Sequence, residues 1–340
     1  MEKHHLLIAL VISLVLNLLL GIALVCLIPR LGSNTAETTA PTEITVQPTV
    51  PSEVPTTLPT LPETAPAETA ATEPAPTQPP ATEAPATQPP ATEAPEEYIG
   101  SLYTRKELKQ LDNTLIVYGP GTAKNGNPPP YAGPAQEKYG KYGGHFIESD
   151  QGVIYLTFDC GYEHFVDGQP LTGLILDTLK QKDVQAVFFV TMSYVKSNPE
   201  LVRRMIDEGH IVGNHSSNHH SMPSLSIDAM AEEIMDLHNY VEKHFSYKMH
   251  LFRPPSGEFS IRSLAVTQSL GYDTVHWSFA YADWDTDAQP EAPAALDKIL
   301  SCHHHGAIYL LHAVSATNAR ILADVIDGLE ALGYRLELLS

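Results

Sequence analysis

One stretch decides the fold of this chain: Gly152-Val153-Ile154-Tyr155-Leu156-Thr157-Phe158-Asp159-Cys160-Gly161-Tyr162-Glu163. A run of mostly apolar residues, rich in β-branched and aromatic types, leads into an acid and a turn glycine. This pattern predicts a buried strand that carries Asp159 at its C-terminal tip. Because an acid is costly to bury, a carboxylate at that position indicates that chemistry uses it.

The rest of the chain alternates between apolar runs and amphipathic segments. Further strands are predicted at Ala186–Thr191, His210–Gly213, Leu251–Arg253, Thr274–Ser278, Ala307–Leu311 and Arg335–Leu338. Helices are predicted over Arg105–Leu111, where Thr104 and Glu107 fit a capping box, and over Leu171–Lys182, Pro199–Glu208, Ile227–Phe245, Ile261–Leu270 and Ala316–Leu332. Repeated strand–helix units with continuous apolar strands predict an α/β fold, a distorted (β/α) barrel of about 7–8 parallel strands.

Polar residues recur where the predicted strands end. In such a barrel the active site gathers at the carboxyl ends of the strands, so we expect these side chains to share one site. His215 and His219 can face the same way on a helical turn, a spacing that suits a divalent metal. The residues at the predicted strand ends are Asp159, His215, Arg253, Asp283 and His312.

The N-terminal part of the chain has a different character from the predicted barrel. Residues 6–28 carry no charge, and at about 1.5 Å per residue they are long enough to cross a bilayer. Cleavable signal peptides have shorter apolar cores, so residues 1–30 predict an uncleaved signal anchor with one transmembrane helix. Residues 31–97 are rich in Pro, Thr and Glu and contain a repeat at 76–85 and 86–95. This composition predicts a disordered linker.

Residues 98–150, with several prolines, glycines and tyrosines, predict an irregular arm, and residues 151–340 hold the predicted barrel. Residues 98–340 contain 29 acidic and 18 basic residues. Such a balance argues against binding to nucleic acid or anionic lipid. Only Cys160 and Cys302 lie in this part, so no disulfide framework is expected.

Five short motifs follow one another along the predicted barrel. They are Thr157-Phe158-Asp159, His215-Ser216-Ser217-Asn218-His219, Arg253-Pro254-Pro255-Ser256-Gly257, Asp283-Trp284 and Leu310-Leu311-His312. In this order they resemble the motifs of the polysaccharide deacetylases, the NodB-homology proteins of carbohydrate esterase family 4. Three longer stretches, residues 155–163, 252–260 and 306–315, are most similar to the branch that forms muramic δ-lactam in bacterial spore peptidoglycan.

The resemblance implies amide hydrolysis, which needs an activated water, a Lewis acid and a proton donor. We expect Asp159 to act as the general base and His312 as the general acid. Arg253 would hold Asp159 ionised, and Asp283 would orient His312 and raise its pKa. By resemblance, the backbone N–H of Ser256 would serve as an oxyanion donor.

The metal site implied by the resemblance would use His215 and His219 as neutral imidazole ligands, with zinc as the default divalent metal. Most of the family has a second aspartate where this chain has Cys160. A thiolate there would ligate zinc, whereas a neutral thiol would leave a weaker site with more open water positions. Both alternatives are open from the sequence, and ligation by Cys160 is the doubtful one.

The implied function is a metal-dependent hydrolase that removes N-acetyl groups from peptidoglycan, with N-acetylmuramic acid as the favoured residue on the way to muramic δ-lactam. The alternatives are a peptidoglycan N-acetylglucosamine deacetylase and a catalytically impaired cell-wall-binding module. We expect a single-pass protein of the bacterial cell membrane with an extracytoplasmic catalytic domain. The expected partners are glycan strands and the membrane, with no nucleic acid, and we expect a monomer.

Overall fold

The computed structural model describes residues 98–339. The signal anchor predicted at residues 1–30 and the linker predicted at residues 31–97 lie outside the described residues. Among residues 98–339, no helix is both long and apolar enough to cross a membrane.

A parallel sheet of eight strands forms the centre of the described chain. Its strands are β1 (Gly144–His145), β2 (Val153–Cys160), β3 (Val187–Val190), β4 (Ile211–Asn214), β5 (Leu251–Phe252), β6 (Asp273–Val275), β7 (Ala307–His312) and β8 (Arg335–Leu336). The order across the sheet is β7-β2-β3-β4-β5-β6-β1, and β8 also pairs with β2. The predicted α/β class and the predicted number of parallel strands are confirmed.

The sheet curls toward closure but does not complete a barrel. Just after β6, Phe279 forms an isolated parallel bridge with Tyr309 of β7. The backbone N–H of Leu310 also donates to the carbonyl of Phe279 at 2.9 Å. These contacts bring the chain beyond β6 against β7, which lies at the other end of the strand order. The architecture is therefore a half-barrel of parallel strands rather than a fully closed barrel.

Nine helices surround this sheet in the described residues. They are α1 (Arg105–Gln110), α2 (Ala132–Tyr139), α3 (Leu171–Lys182), α4 (Met192–Ser197), α5 (Pro199–Asp207), α6 (Ile227–Phe245), α7 (Ile261–Ser269), α8 (Ala292–Ser301) and α9 (Ala316–Ala331). The six predicted helices correspond to α1, α3, α5, α6, α7 and α9, and α1 begins with the expected capping box of Thr104 and Glu107. Helices α2, α4 and α8 were not predicted.

The predicted irregular arm contributes directly to the sheet. Strand β1 pairs in parallel with β6, so that Gly144 lies opposite Thr274. The short strand Ile116–Val117 pairs with Glu258–Phe259 outside the main sheet. A strand of two residues is too short to show alternation, so this contribution depends on tertiary contacts rather than on a local pattern.

Strand β2 is buried along its whole length and separates two layers of core. Ile154, Leu156 and Phe158 pack in the larger core, which includes residues of α3 and α6. Val153 and Tyr155 pack in a second core with residues of β3, β5 and β7. Because successive residues of a strand point to opposite faces, this alternation determines which core each side chain at the carboxyl end of β2 faces.

Candidate active site

Asp159 and Arg253 form a buried ion pair at the carboxyl end of the sheet. Nη1 of Arg253 lies 2.8 Å from Oδ1 of Asp159. The Nε and Nη2 groups of Arg253 donate to the carbonyls of Val275 and His276, both at 3.1 Å. Burial by itself would raise the pKa of Asp159. The guanidinium of Arg253 and two neighbouring imidazoles outweigh burial and hold this pKa below its usual value.

The histidine pair lies beside this carboxylate. His215 follows β4, and its Nδ1 lies 2.8 Å from the carbonyl oxygen of Arg253. Because a carbonyl only accepts, Nδ1 carries the proton, and Nε2 lies 3.6 Å from Oδ2 of Asp159. Burial lowers the pKa of His215 to about 4, so its imidazole is neutral at pH 7. The ring centroid of His219 lies 4.9 Å from that of His215.

The backbone of His219 is held in the left-handed region. Its φ is 59°, and that of Ser216 is 68°. The N–H of His219 donates to Oγ of Ser216 at 2.9 Å, which stabilises this tight loop. Non-glycine residues rarely adopt such angles, and they concentrate at functional sites.

The donors in this corner of the cleft match a divalent metal in chemical type. Metal-ligating histidines commonly donate the second ring N–H to a carbonyl, as His215 does to Arg253. No group of three or more His, Cys, Asp or Glu side chains within residues 98–339 is arranged to hold a metal ion. His215 and His219 would thus offer two imidazole ligands, which fits a metal that keeps open positions for water and substrate.

Cys160 lies outside this group. It neighbours Asp159 on β2, so its side chain points to the opposite face and packs in the larger core with Tyr194. The residue is completely buried, and burial raises the pKa of its thiol well above the usual value. A neutral thiol on the far face of the strand does not fit a metal ligand. The structure therefore favours the alternative in which Cys160 does not ligate.

His312 and Asp283 form a second pair of contacting residues at the carboxyl end of the sheet. Nδ1 of His312 lies 2.7 Å from Oδ1 of Asp283, and the backbone N–H of His312 donates to Oδ2 at 2.8 Å. Burial by itself would lower the pKa of His312, but the bond and charge of Asp283 outweigh it and raise this pKa. His312 of β7 is the register partner of Asp159 of β2, so these residues lie on adjacent strands.

The side chains of Asp159, His215, His219 and His312 line one cleft with a volume of about 890 Å³. Ser256 lines the cleft in a left-handed conformation with a φ of 57°. Trp284 lies on the rim, with 55% of its surface exposed and its ring centroid 5.9 Å from that of His312. The structure therefore brings the residues predicted for the site, other than Cys160, to one end of the sheet.

A buried carboxylate that was not predicted from the sequence, that of Glu233, holds the loop that carries the two histidines. Glu233 on α6 accepts hydrogen bonds from the backbone N–H of Asn218 at 2.9 Å and from its Nδ2 at 2.8 Å. Oε1 of Glu233 also lies 2.8 Å from Nδ1 of His220. Glu233 stands between the buried residues Met230 and Leu237 on the apolar face of α6. A charge on such a face rarely lacks a partner, and this was the signal available in the sequence.

Comparisons with known proteins agree with this geometry. The family model described as "Polysaccharide deacetylase" matches residues 147–275. The chain is 38% identical over 230 residues to the peptidoglycan-N-acetylmuramic acid deacetylase PdaA of Bacillus subtilis, covering 67% of this chain and 86% of that protein. It is 30% identical over 199 residues to a peptidoglycan-N-acetylglucosamine deacetylase of Bacillus cereus, covering 57% of this chain and 89% of that protein.

Solved structures give the same result. The structure of Bacillus subtilis PdaA, described as a family 4 carbohydrate esterase, matches with a TM-score of 0.63 and 37% identity. The match covers 67% of this chain and 96% of that structure. The sequence motifs, the half-barrel and these relatives together show that the chain belongs to the polysaccharide deacetylases of carbohydrate esterase family 4 and is a polysaccharide N-deacetylase.

Proposed function

We propose that this chain removes N-acetyl groups from the amino sugars of peptidoglycan, with N-acetylmuramic acid as the favoured residue. The observation that carries the proposal is the placement of Asp159 and His312 on adjacent strands facing one cleft. The pKa of Asp159 is lowered and the pKa of His312 is raised. Two groups whose pKa values are moved in opposite directions are typical of a base and an acid that act in one reaction.

The reaction follows from these protonation states. Asp159, held ionised by Arg253, accepts a proton from water as the water oxygen attacks the acetamide carbonyl carbon. His312, protonated on both ring nitrogens, donates a proton from Nε2 to the amine nitrogen as the C–N bond breaks. The products are acetate and a free amino sugar. A divalent metal bound at His215 and His219 would supply Lewis acidity at the carbonyl. We propose zinc as this metal.

The choice of N-acetylmuramic acid is supported by the relative PdaA, whose name specifies that residue. A freed muramic amine can close onto the lactyl carboxylate with loss of water, which gives the δ-lactam. The Bacillus cereus relative, named for N-acetylglucosamine, supports the alternative residue. The two candidates differ only in the sugar, and both use the same acid and base.

We also propose that the catalytic part works outside the cell, tethered to the membrane as a monomer. The support is the uncharged stretch at residues 6–28 followed by the Pro/Thr/Glu-rich stretch at residues 31–97. In this arrangement residues 98–340 reach the glycan strands of the wall from a membrane anchor. Because muramic δ-lactam occurs in spore peptidoglycan, we propose that the protein acts during sporulation.

The test is mass spectrometry of muropeptides, together with acetate release, after incubation of glycan strands with the protein. We expect loss of acetyl, or of acetyl plus water, from muramic residues, and we expect a chelator to reduce it. Asp159→Asn and His312→Ala should each lower the rate by about 10²–10⁴-fold, the usual contribution of a positioned acid or base. Release from glucosamine residues alone would favour the second sugar. If the protein binds glycan but releases no acetate, the proposed deacetylase function is wrong and the chain is a cell-wall-binding module.

A further inference from the structure

The pair formed by His312 and Asp283 is held from behind by an asparagine. Asn318 lies in the first turn of α9 and is 2% exposed. Its Nδ2 donates to Oδ2 of Asp283 at 2.6 Å and to the backbone carbonyl of His312 at 3.2 Å. Its Oδ1 accepts a hydrogen bond from the hydroxyl of Tyr281.

These contacts give both polar atoms of the amide hydrogen-bond partners and fix its orientation. An asparagine amide has two donors and one acceptor group, and here each has a partner. Because the carboxylate of Asp283 and the carbonyl of His312 only accept, Nδ2 of Asn318 must face them, and the hydroxyl of Tyr281 then donates to Oδ1. Oδ2 of Asp283 then accepts from Asn318 and from the backbone N–H of His312. Oδ1 of Asp283 is left for Nδ1 of His312.

The start of α9 is itself fixed, so Asn318 has little freedom to move. The backbone N–H of Asn318 donates to Oγ of Ser315 at 3.1 Å. The hydroxyl of Ser315 donates to Oε1 of Gln289 at 2.7 Å. Nε2 of Gln289 donates to the carbonyl of Asp283 at 3.0 Å. The helix start and the loop that carries Asp283 are therefore joined as one unit.

We propose that Asn318 is a positioning residue that holds the Asp283 carboxylate in one orientation, and that Tyr281, whose ring lines the cleft, holds Asn318 through its hydroxyl. We call this arrangement of Asn318 and Asp283 the lock. The lock keeps the proton of His312 on Nδ1 directed at Asp283, so that Nε2 faces the cleft. Tyr281 lines the cleft with its ring while its hydroxyl holds Asn318. The inference rests on the proposed role of His312 as the proton donor.

A loss of the lock has a predictable effect on His312. The charged groups that face its imidazole are Asp283, Asp159 and Arg253, and the uncharged ring of Trp284 covers it from the rim. Asp283 and Asp159 raise the pKa of His312, whereas Arg253 and burial lower it. If the Asp283 carboxylate is free to turn away, the main interaction that raises the pKa of His312 is weakened. Burial and the charge of Arg253, which both lower this pKa, then have the larger effect.

The experiment compares Asn318→Ala and Tyr281→Phe with the unaltered full chain. Deuterium exchange at the imidazole C2 position, followed by mass spectrometry, gives the pKa of His312 without any need for activity. We expect this pKa to fall toward or below the ordinary value of about 6.5 in Asn318→Ala. We expect kcat for acetate release to fall about 10–100-fold, as for outer partners of metal-bound histidines, with KM changed less than about twofold. The basic limb of the kcat profile should move to lower pH.

Tyr281→Phe should shift the pKa in the same direction by a smaller amount. The double variant should match Asn318→Ala, because Tyr281 acts through Asn318. Asp324→Ala, an exposed change on the same helix, is the control and should alter neither quantity.

An unchanged pKa of His312 in a folded Asn318→Ala protein would overturn the lock, even if kcat falls through reduced stability. A second outcome is also informative. If the unaltered chain releases no acetate but Asn318→Ala still lowers the pKa of His312, the lock is supported and the proposed function is refuted. The two failures are therefore distinguishable.

Discussion

Arg253 shows how a single buried side chain can serve both stability and chemistry. It is completely buried, and its three donor groups bind Asp159 and two backbone carbonyls. Its guanidinium also lies 4.2 Å from the ring centroid of Phe189. A charge in this position is tolerated because each guanidinium nitrogen has a hydrogen-bond partner, and the same contacts hold the base in its ionised form.

Replacing Arg253 should therefore be costly. Arg253→Met leaves the Asp159 carboxylate buried without its cation, and we expect the free energy of unfolding to fall by about 3–5 kcal/mol. Urea denaturation at pH 7 measures this loss. The control is Arg335→Met, because Arg335 pairs with Glu337 at the surface with 65% of its side chain exposed. The control should cost less than about 1 kcal/mol. Equal losses in the two variants would contradict the argument.

The pH dependence of activity should be governed by His312 on the basic side. Its folded pKa is raised, so the proton donor is present below that pKa and is lost as pH rises through it. The stability that comes from its pairing with Asp283 has the same sign: it is present at pH values below the unfolded pKa and disappears above the folded pKa.

Asp283→Asn tests this dependence. The substitution removes the charge that raises the pKa of His312, so the basic limb of the kcat profile should move to lower pH. At pH 7 we expect kcat to fall by about 10²–10⁴-fold, the contribution of a positioned proton donor. Steady-state rates of acetate release between pH 5 and 9 measure both effects. A lower kcat with an unmoved basic limb would show that another group sets that limb.

At the scale of elements, strand ends and helix faces decide which side chains meet. The carboxyl ends of β2, β4, β5 and β7 carry Asp159, His215, Arg253 and His312. Helix α6 then supports the histidine loop through Glu233, whose carboxylate is 6% exposed. The histidine loop is thus fixed at its start by β4 and through hydrogen bonds to Glu233 by α6.

Glu233→Ala should loosen this loop without touching the cleft. We expect the affinity for zinc, measured by titration of the metal-free protein, to fall about 10–100-fold, the usual effect of removing an outer partner of a metal site. Hydrogen exchange at residues 215–220 should rise in the same variant. Glu232→Ala is the matched control, since Glu232 is the exposed neighbour on α6 and should change neither property. Unchanged affinity in Glu233→Ala would show that the loop holds its shape alone.

At the scale of the whole molecule, residues 98–339 contain the parallel sheet, the hydrophobic cores that pack against it and the residues that line the cleft. A fragment of residues 98–340 should therefore fold and deacetylate soluble glycan fragments with the kcat of the full chain. We expect it to leave the membrane fraction, because residues 6–28 supply the proposed anchor. Cell fractionation and acetate release measure the two properties. Retention of the fragment on membranes would place the anchor elsewhere.

The arm at residues 98–150 gives that fragment its N-terminal limit. Strand β1 lies in this arm and pairs with β6. A fragment that begins at residue 151 would leave an edge of β6 unpaired, so we expect it to be less stable than the longer fragment.

Local pattern was sufficient for much of the fold. The alternation of apolar strands with amphipathic helices, together with one capping box, predicted the class, the strand number and six helices, because these signals are carried by neighbouring residues. The order of the five motifs also pointed to the family before any contact was known. Strand alternation likewise required Asp159 and Cys160 to face opposite ways, although ligation by Cys160 was an open alternative from the sequence.

Only the tertiary structure decided which distant groups meet. The bond between Arg253 and Asp159 joins residues separated by 94 positions, and the bond between Asn318 and Asp283 spans 35. No local pattern specifies such pairs, because a hydrogen bond depends on where two elements are placed by the packing of the whole core. The partial closure of the sheet and the entry of β1 into it have the same origin. By itself, then, the sequence determined the elements and the chemical groups, and packing determined their partners.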